Sequence, residues 1–377
     1  MEGASTQVLP VVIIGGGLAG LQAARLLHEA GIGFRIFEAR DRLGGRILST
    51  DAAGLPTEDG FDLGPSWFWP SMHPDMASAL AQIGLAAFPQ HDEGDVLFER
   101  LPNRPPQRFA GARPEPRSMR LAGGTGALVR ALASGLPDGS IQLASRVTRI
   151  ALEGDHVQLT LEQADGGRDS VLAAQVIAAL PPRLLEANIA FEPTIDPAIR
   201  LRWRDTPTWM APHAKFVAIY DRPFWRTAGL SGMAQSAIGP MGEIHDATTA
   251  SGAAALFVFL GIDADRRQAA GTALLTRACI DQLGRLFGDE ARRPAATLLM
   301  DWTAEAFTAT ADDRHGGAHP APQRGPLVSG AWRDRLSLAG SETSATDPGY
   351  LAGAMDAASR AAAEVLQRIA APDRAAS

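Results

Sequence analysis

Residues 11–46, VVIIGGGLAGLQAARLLHEAGIGFRIFEARDRLGGR, restrict the possible folds of this chain more than any other stretch. Four apolar residues, Val11–Ile14, run into Gly15, Gly17 and Gly20 with the spacing G-x-G-x-x-G. An Ala/Leu-rich helical pattern follows and closes at Gly31. A second apolar run, residues 34–37, ends in Glu38. Gly15 permits a tight strand-to-helix turn, Gly17 lets a pyrophosphate approach the backbone, and Gly20 lets helix and strand pack closely. The N–H groups at the helix start, those of Leu18 and Ala19 among them, carry the partial positive charge that favours phosphate. Glu38, 18 residues beyond Gly20, stands where an acidic side chain accepts the hydroxyls of an adenosine ribose. Strand, glycine turn, helix and acidic partner together specify a dinucleotide-binding βαβ unit.

Composition narrows the class. The 377 residues, 46% of them hydrophobic, suffice for two joined globular domains. A net charge of −7 without a dense basic run argues against nucleic acid as a partner. The single cysteine, Cys279, excludes an intramolecular disulfide and fits a reducing compartment, so a cytoplasmic, bacterial protein is expected. The N-terminal residues lack a charged region followed by a long apolar one. No apolar stretch reaches the roughly 18 residues of a transmembrane helix, so neither a signal peptide nor a membrane span is expected. His73 and His315 show no ligand spacing, and no metal site is expected.

The motif does not stop at Glu38. Arg40, Arg42, Gly44, Gly45 and Arg46 extend it as E-x-R-x-R-x-G-G-R. Arginine offers a pyrophosphate a planar, permanently charged fork, and a glycine doublet lets backbone pass close to a cofactor. This extension resembles the glycine-doublet flavoproteins, which include monoamine and polyamine oxidases, L-amino-acid oxidases, protoporphyrinogen oxidase and phytoene desaturases. The resemblance runs along most of the chain. FDLGPSW at 61–67, with Gly64, Pro65 and Ser66, resembles the loop beside the flavin. GGTGAL at 123–128 resembles the glycine-rich entry to a central helix. Val147, in SRVTRI, matches the strand residue whose backbone meets the adenine. Pro181-Pro182 closes a strand as in the family. AGSET at 339–343, containing Gly340 and Glu342, and then Pro348-Gly349-Tyr350 with an Ala-rich helix, resembles the C-terminal signature. The match is strong at both ends and weak over 76–118 and 230–295.

The resemblance implies FAD and assigns further roles. Glu342 would bond the ribityl chain, the simpler alternative being a helix-capping carboxylate. The backbone of Leu351 and Ala354 would face the flavin pyrimidine, where a helix start stabilises negative charge. Trp302 matches a tryptophan near the flavin ring, and could equally be core. Tyr350 matches one of two aromatics that flank the amine.

Lys215 is the only lysine among 35 Lys and Arg residues. A bias toward arginine explains the absence elsewhere, not the exception. A buried lysine can lose its proton and arginine cannot. Its segment, AKFVAIYDRPFW, resembles the amine oxidase strand whose lysine is bridged by water to the flavin N5. The alternative is an ordinary strand-end lysine. Trp67 and Trp69 either line a substrate cavity or pack in the core. Glu243, His245 and Asp246, in MGEIHDATT, form a polar knot that reads either as a binding site in the substrate domain or, the simpler alternative, as a satisfied turn network.

Two positions depart from the family. Membrane-bound amine oxidases carry a flavin-linked cysteine nine residues after the counterpart of Trp302, where this chain has Ala311. The FAD is therefore expected to be noncovalent. The following position, aromatic in the family, is Asp312, which reads either as a solvated acidic residue or as a partner for a cationic amine.

The expected fold is α/β: a discontinuous FAD-binding Rossmann-type domain with an α+β substrate domain carrying a mixed or antiparallel sheet, as in monoamine oxidase and p-hydroxybenzoate hydroxylase. Residues 1–75, 119–185 and 320–377 would form the FAD domain, and 76–118 and 186–319 the substrate domain. Strands are expected at 141–150, 156–162, 171–179, 215–220, 254–261 and 335–340, and helices at 75–84, 124–135, 267–287 and 350–369. Residues 102–117 read as an extended loop or edge segment, and 311–326 as a loop. The expected function is FAD-dependent amine oxidation with Lys215 and Tyr350 at the chemistry, a small-molecule amine and dioxygen as partners, and a homodimer as one allowed assembly. The alternatives are a flavin dehydrogenase or desaturase acting on a carbon–carbon bond with another acceptor, and a flavin-holding module without turnover.

Overall fold

The computed structural model describes residues 9–111, 115–315 and 318–371. By internal contacts the chain divides into two compact units, residues 1–45, 129–209 and 318–377, and residues 46–128 and 210–317.

The first unit is organised by the βαβ run. Strand β1 (Val11–Ile14) is buried on both faces, as a central parallel strand must be, and its β-branched residues suit that setting. Helix α1 (Leu18–Glu29) turns Leu18, Leu21, Ala23, Ala24 and Leu27 inward, and strand β2 (Phe34–Phe37) returns parallel to β1. They belong to a five-stranded sheet in the order 336–338, 175–178, β1, β2, 141–142, with every pair parallel. The helix Leu351–Ala370 packs against α1 through an Ala-rich face. A second sheet, ordered 168–173, 156–163, 145–153, 190–192, is antiparallel except for its last pair. Aliphatic side chains from both sheets, with Trp203 and Trp332, form one core.

The second unit is built on a seven-stranded mixed sheet ordered 296–301, 214–220, 254–260, 241–246, 230–236, 95–99, 107–109. One pair in it, 230–236 with 95–99, is parallel. One face packs on the helix Ala264–Phe287, with Phe216, Ala218, Ile244, Leu256 and Val258 meeting Cys279, Leu283 and Leu286. The other face gathers Val217, Ile219, Ala255 and Phe257 against Phe61 and Leu63. Among the described residues no helix is long and apolar enough to cross a membrane.

Several expected elements are redrawn by pairing. The apolar run 171–179 is two strands. Residues 168–173 pair with 156–163, and 175–178 pair with β1, so one uninterrupted pattern serves two sheets. Residues 107–109 form an edge strand within 102–117, as the edge-segment reading allowed, and residues 112–114 lie outside the described set. Residues 311–313 form a 3-10 turn closed by a Thr310–Asp313 capping box. The segment 241–246 is a central strand rather than a turn, because alternate residues pair on both sides with 254–260 and 230–236. The compact units also divide the chain differently from the expected domains at 46–75, 119–128, 186–209 and 318–319. Residues 190–192 join the sheet of the first unit, and the loop after residue 62 bonds to the lysine strand of the second.

Candidate active site

The glycine turn of the first unit is shaped by close backbone approach. A Cβ on Gly20 would lie 1.9 Å from the Gly15 carbonyl oxygen, so only glycine fits where α1 crosses the strand end. At Gly17 the nearest atoms to a Cβ, Gly44 O and Gly45 Cα, are 3.9 Å away. Gly17 is also the N-cap of α1, and no side chain caps it. The turn thus leaves room and helix-start donors for a phosphate, which is the fit a dinucleotide requires. The glycine doublet lies against this turn. The Gly44 N–H donates to Gly16 O at 2.9 Å, and Gly44 and Gly45 have φ of 100° and 58°, conformations natural to glycine. Glu38 is buried at the end of β2. Its Oε2 accepts from the Gly16 N–H at 2.6 Å and its Oε1 from the Arg40 N–H at 2.9 Å. The carboxylate therefore fastens the glycine turn to the arginine segment. Val147 is buried on the strand Ser145–Glu153 beside a bulge.

The C-terminal signature belongs to the same unit. Glu342 is fully buried in the 3-10 turn Ser341–Thr343, accepting from the Trp209 N–H at 3.1 Å and the Ser341 hydroxyl at 3.0 Å. It stands eight residues before Tyr350, the N-cap of the last helix, which makes no side-chain capping bond. The Tyr350 ring lies 4.9 Å from His319 and 6.4 Å from Trp209, and His319 and Trp209 are 4.3 Å apart. Sequence reasoning missed Trp209 and His319, which no motif marks. Asp312, by contrast, is exposed in its 3-10 turn.

The second unit places Lys215 at the centre of a polar knot. Its strand, Ala214–Tyr220, pairs on both sides and is buried throughout. The Nζ donates to Gly64 O at 3.0 Å and Ser66 Oγ at 2.6 Å, and sits 4.1 Å from the Phe257 ring centre. Burial pulls its pKa from 10.5 to about 7; Asp62 opposes the drop and Arg120 adds to it. An arginine here could not shed its charge. Asp62 fixes the loop that receives the lysine. Its Oδ1 accepts from Ser49 Oγ at 2.6 Å and from the backbone and hydroxyl of Thr125 at 2.8 and 2.9 Å. This explains why FDLGPS and GGTGAL occur together: the first supplies the carboxylate and the second the donors. Trp302 is buried, and its indole N–H donates to Leu63 O at 3.0 Å, bracing the same loop. Trp67 lies over the sheet and donates to Gln90 Oε1 at 2.8 Å, while Trp69 donates to Ser118 Oγ at 2.9 Å. Asp62 stood in a motif already noted; Ser49 and Gln90 carried no signal. Among the described residues no group of three or more His, Cys, Asp or Glu could hold a metal.

Comparisons with known proteins bear on the family and the fold. Residues 18–115 and 106–366 match the family described as flavin containing amine oxidoreductase. A Mycobacterium tuberculosis protein named as a flavin-containing monoamine oxidase, AofH, is 27% identical, the match covering 94% of this chain and 96% of that protein. Putrescine oxidase of Kocuria rosea is 24% identical over 94% of this chain and 95% of its own length. The solved structure of cyclohexylamine oxidase from Brevibacterium oxydans superposes with a TM-score of 0.77 at 21% identity, covering 97% of this chain and 100% of that one.

Proposed function

The chain belongs to the flavin-containing amine oxidoreductases and is a flavin-dependent oxidoreductase acting on amines, and we propose that it is an oxidase that converts an amine to a carbonyl compound through the imine, with noncovalent FAD and dioxygen. The single observation that carries the reading is Lys215, whose pKa is brought to about 7 by burial while its Nζ is held by Gly64 and Ser66. FAD, when bound, would supply a two-electron acceptor for the hydride of the amine C–H bond, with dioxygen as the final acceptor giving hydrogen peroxide.

The protein's own groups bind, orient and manage protons. The Gly15–Gly20 turn, the N–H groups of Leu18 and Ala19, and Arg40, Arg42 and Arg46 are proposed to hold the pyrophosphate. Glu38 takes the ribose hydroxyls with lone pairs that its two backbone donors leave available. Gly340, Glu342, Leu351 and Ala354 serve the ribityl and pyrimidine end, Val147 the adenine, and the Gly64–Ser66 loop with Trp302 the ring. Lys215 in its neutral form positions the water that hydrolyses the imine, and Tyr350 presents a ring face to the amine. Ala311 offers no sulfur and Cys279 is fully buried, which supports a cofactor held without a covalent link. A cytoplasmic location is part of the same proposal.

The test is anaerobic mixing of the purified yellow protein with a panel of primary, secondary and polyamines. Bleaching of the oxidised flavin band by an amine, followed by peroxide on readmission of air, is the expected result. A flavin that no amine reduces sinks the proposal.

A further inference from the structure

Arg120 is a buried cation without a bonded counterion. It lies on the strand Met119–Leu121, is 3% exposed, and stands 5.3 Å from the centre of the Phe88 ring. Its Nη1 donates to Thr248 O at 2.8 Å and its Nη2 to Ala247 O at 3.2 Å, both neutral carbonyls, while Nε has no partner. Asp62 is its counterpart. The residue is 4% exposed, its Oδ1 accepts from the neutral donors of Ser49 and Thr125, and its Oδ2 has no partner. Among the described residues no ion pair engages either group. Buried charges are ordinarily paired, because desolvation penalises a lone one. The two therefore answer one another across a gap longer than an ion pair. Burial lowers the Arg120 pKa, and of the charges that oppose this Asp62 acts most strongly, ahead of Asp246 and Asp59. Asp246 is already engaged by Arg226 and the Trp225 indole, and Asp59 by the hydroxyls of Thr249 and Ser251.

The same two charges bear on Lys215. Its Nζ is held by Gly64 O and Ser66 Oγ, two and four residues beyond Asp62. The Thr125 hydroxyl, 2.9 Å from Asp62 Oδ1, also lies 3.0 Å from Pro65 O, so carboxylate and lysine are tied to one loop. The flanking strands place Phe259 and Met300 beside the lysine. Beyond Phe259 stands Glu243, bonded to His245, and beside Met300 stands Asp301, bonded to Arg267. After burial itself, Asp62 and then Arg120 act on the Lys215 pKa, the first raising it and the second lowering it. The buried set is thus two cations and one anion. The carboxylate can balance one cation. Arginine cannot release its proton and lysine can, so the set reaches neutrality with Lys215 uncharged.

We propose that Arg120 and Asp62 are positioning residues for the amine chemistry: Arg120 takes up the charge of the buried carboxylate and so leaves Lys215 as the neutral base, while Asp62 limits how weak that base becomes. The inference rests on the amine-oxidising reading and deepens it. The two residues act in opposite directions, which a loss of packing at either position would not do.

The experiment follows the single lysine resonance, labelled with carbon-13 at Cε, against pH in the holoenzyme and in Asp62→Asn, Arg120→Gln and the double variant. Asp62→Asn is isosteric and keeps an oxygen for Ser49 and Thr125. Its midpoint should fall by about one pH unit, and that of Arg120→Gln should rise by about as much, the scale of one nearby charge. The double variant should fall between the two. Thr125→Val removes a donor to Asp62 but no charge, and should keep the wild-type midpoint. The pH dependence of flavin reoxidation should move with the resonance. An unmoved midpoint in either single variant, a shift of the same sign in both, or an equal shift in Thr125→Val would overturn the proposal. Where one single variant does not fold, the direction of the other decides. If no amine reduces the wild-type flavin, the amine-oxidising reading fails, and the resonance still decides what Asp62 and Arg120 do.

Discussion

Lys215 is the only lysine in the chain, so a protein grown with lysine labelled by carbon-13 at Cε yields a single lysine resonance. Its chemical shift against pH reports the ionisation of one buried amine directly. The side chain is 2% exposed, and its pKa falls from 10.5 to about 7. At 1.36 kcal/mol per unit, that drop disfavours the charged form by about 5 kcal/mol. The dominant cause is desolvation, partly offset by Asp62 and reinforced by Arg120. Near neutral pH the neutral amine is then an accessible form. The same shift sets a stability slope. Between pH 7 and 10.5 the unfolded chain binds this proton and the native chain does not. Native stability from this site therefore rises with pH through that window, and its full cost is present below it. Lys215→Met removes the titration, so wild-type stability minus variant stability should increase between pH 7 and 10, measured by denaturant unfolding. A resonance that titrates within one unit of 10.5, or a stability difference that stays flat with pH, would refute the reasoning. A neutral amine is also the form able to position and accept protons from water. Lys215→Met should accordingly slow the oxidative half-reaction or imine release while flavin stays bound.

Two further outcomes follow from local geometry. Gly20→Ala places a Cβ 1.9 Å from the Gly15 carbonyl oxygen and should give colourless or insoluble protein, whereas Gly33→Ala meets nothing within 4 Å and should keep its flavin; the flavin-to-protein absorbance ratio of the two reads this. Cys279 is fully buried and burial raises its thiol to about 12, so a thiol-specific chromogenic reagent should leave the native protein unlabelled and modify one cysteine on denaturation.

The βαβ run of the first unit was legible in the sequence because its constraints are local. Gly15, Gly17, Gly20, Glu38 and the Gly44-Gly45 doublet lie within 31 residues, and each answers a requirement of a bonded turn or of its immediate partner. Backbone geometry at fixed spacing leaves little freedom, so spacing alone carries the meaning. The uniqueness of Lys215 is likewise a property of the sequence. What the sequence could not hold was who meets whom across long separations. The apolar run 171–179 reads as one strand until pairing divides it between two sheets. Lys215 becomes a weakened base because the assembled fold buries it, and the groups its Nζ donates to, Gly64 and Ser66, come from about 150 residues earlier. Glu243 and His245 looked like a turn because polar residues cluster there. Their strand register decides instead that they share a face with Lys215 while Asp246 turns to the core. Register depends on which strands assemble side by side, and alternation along one strand states only that two faces exist, not which of them is lined by what.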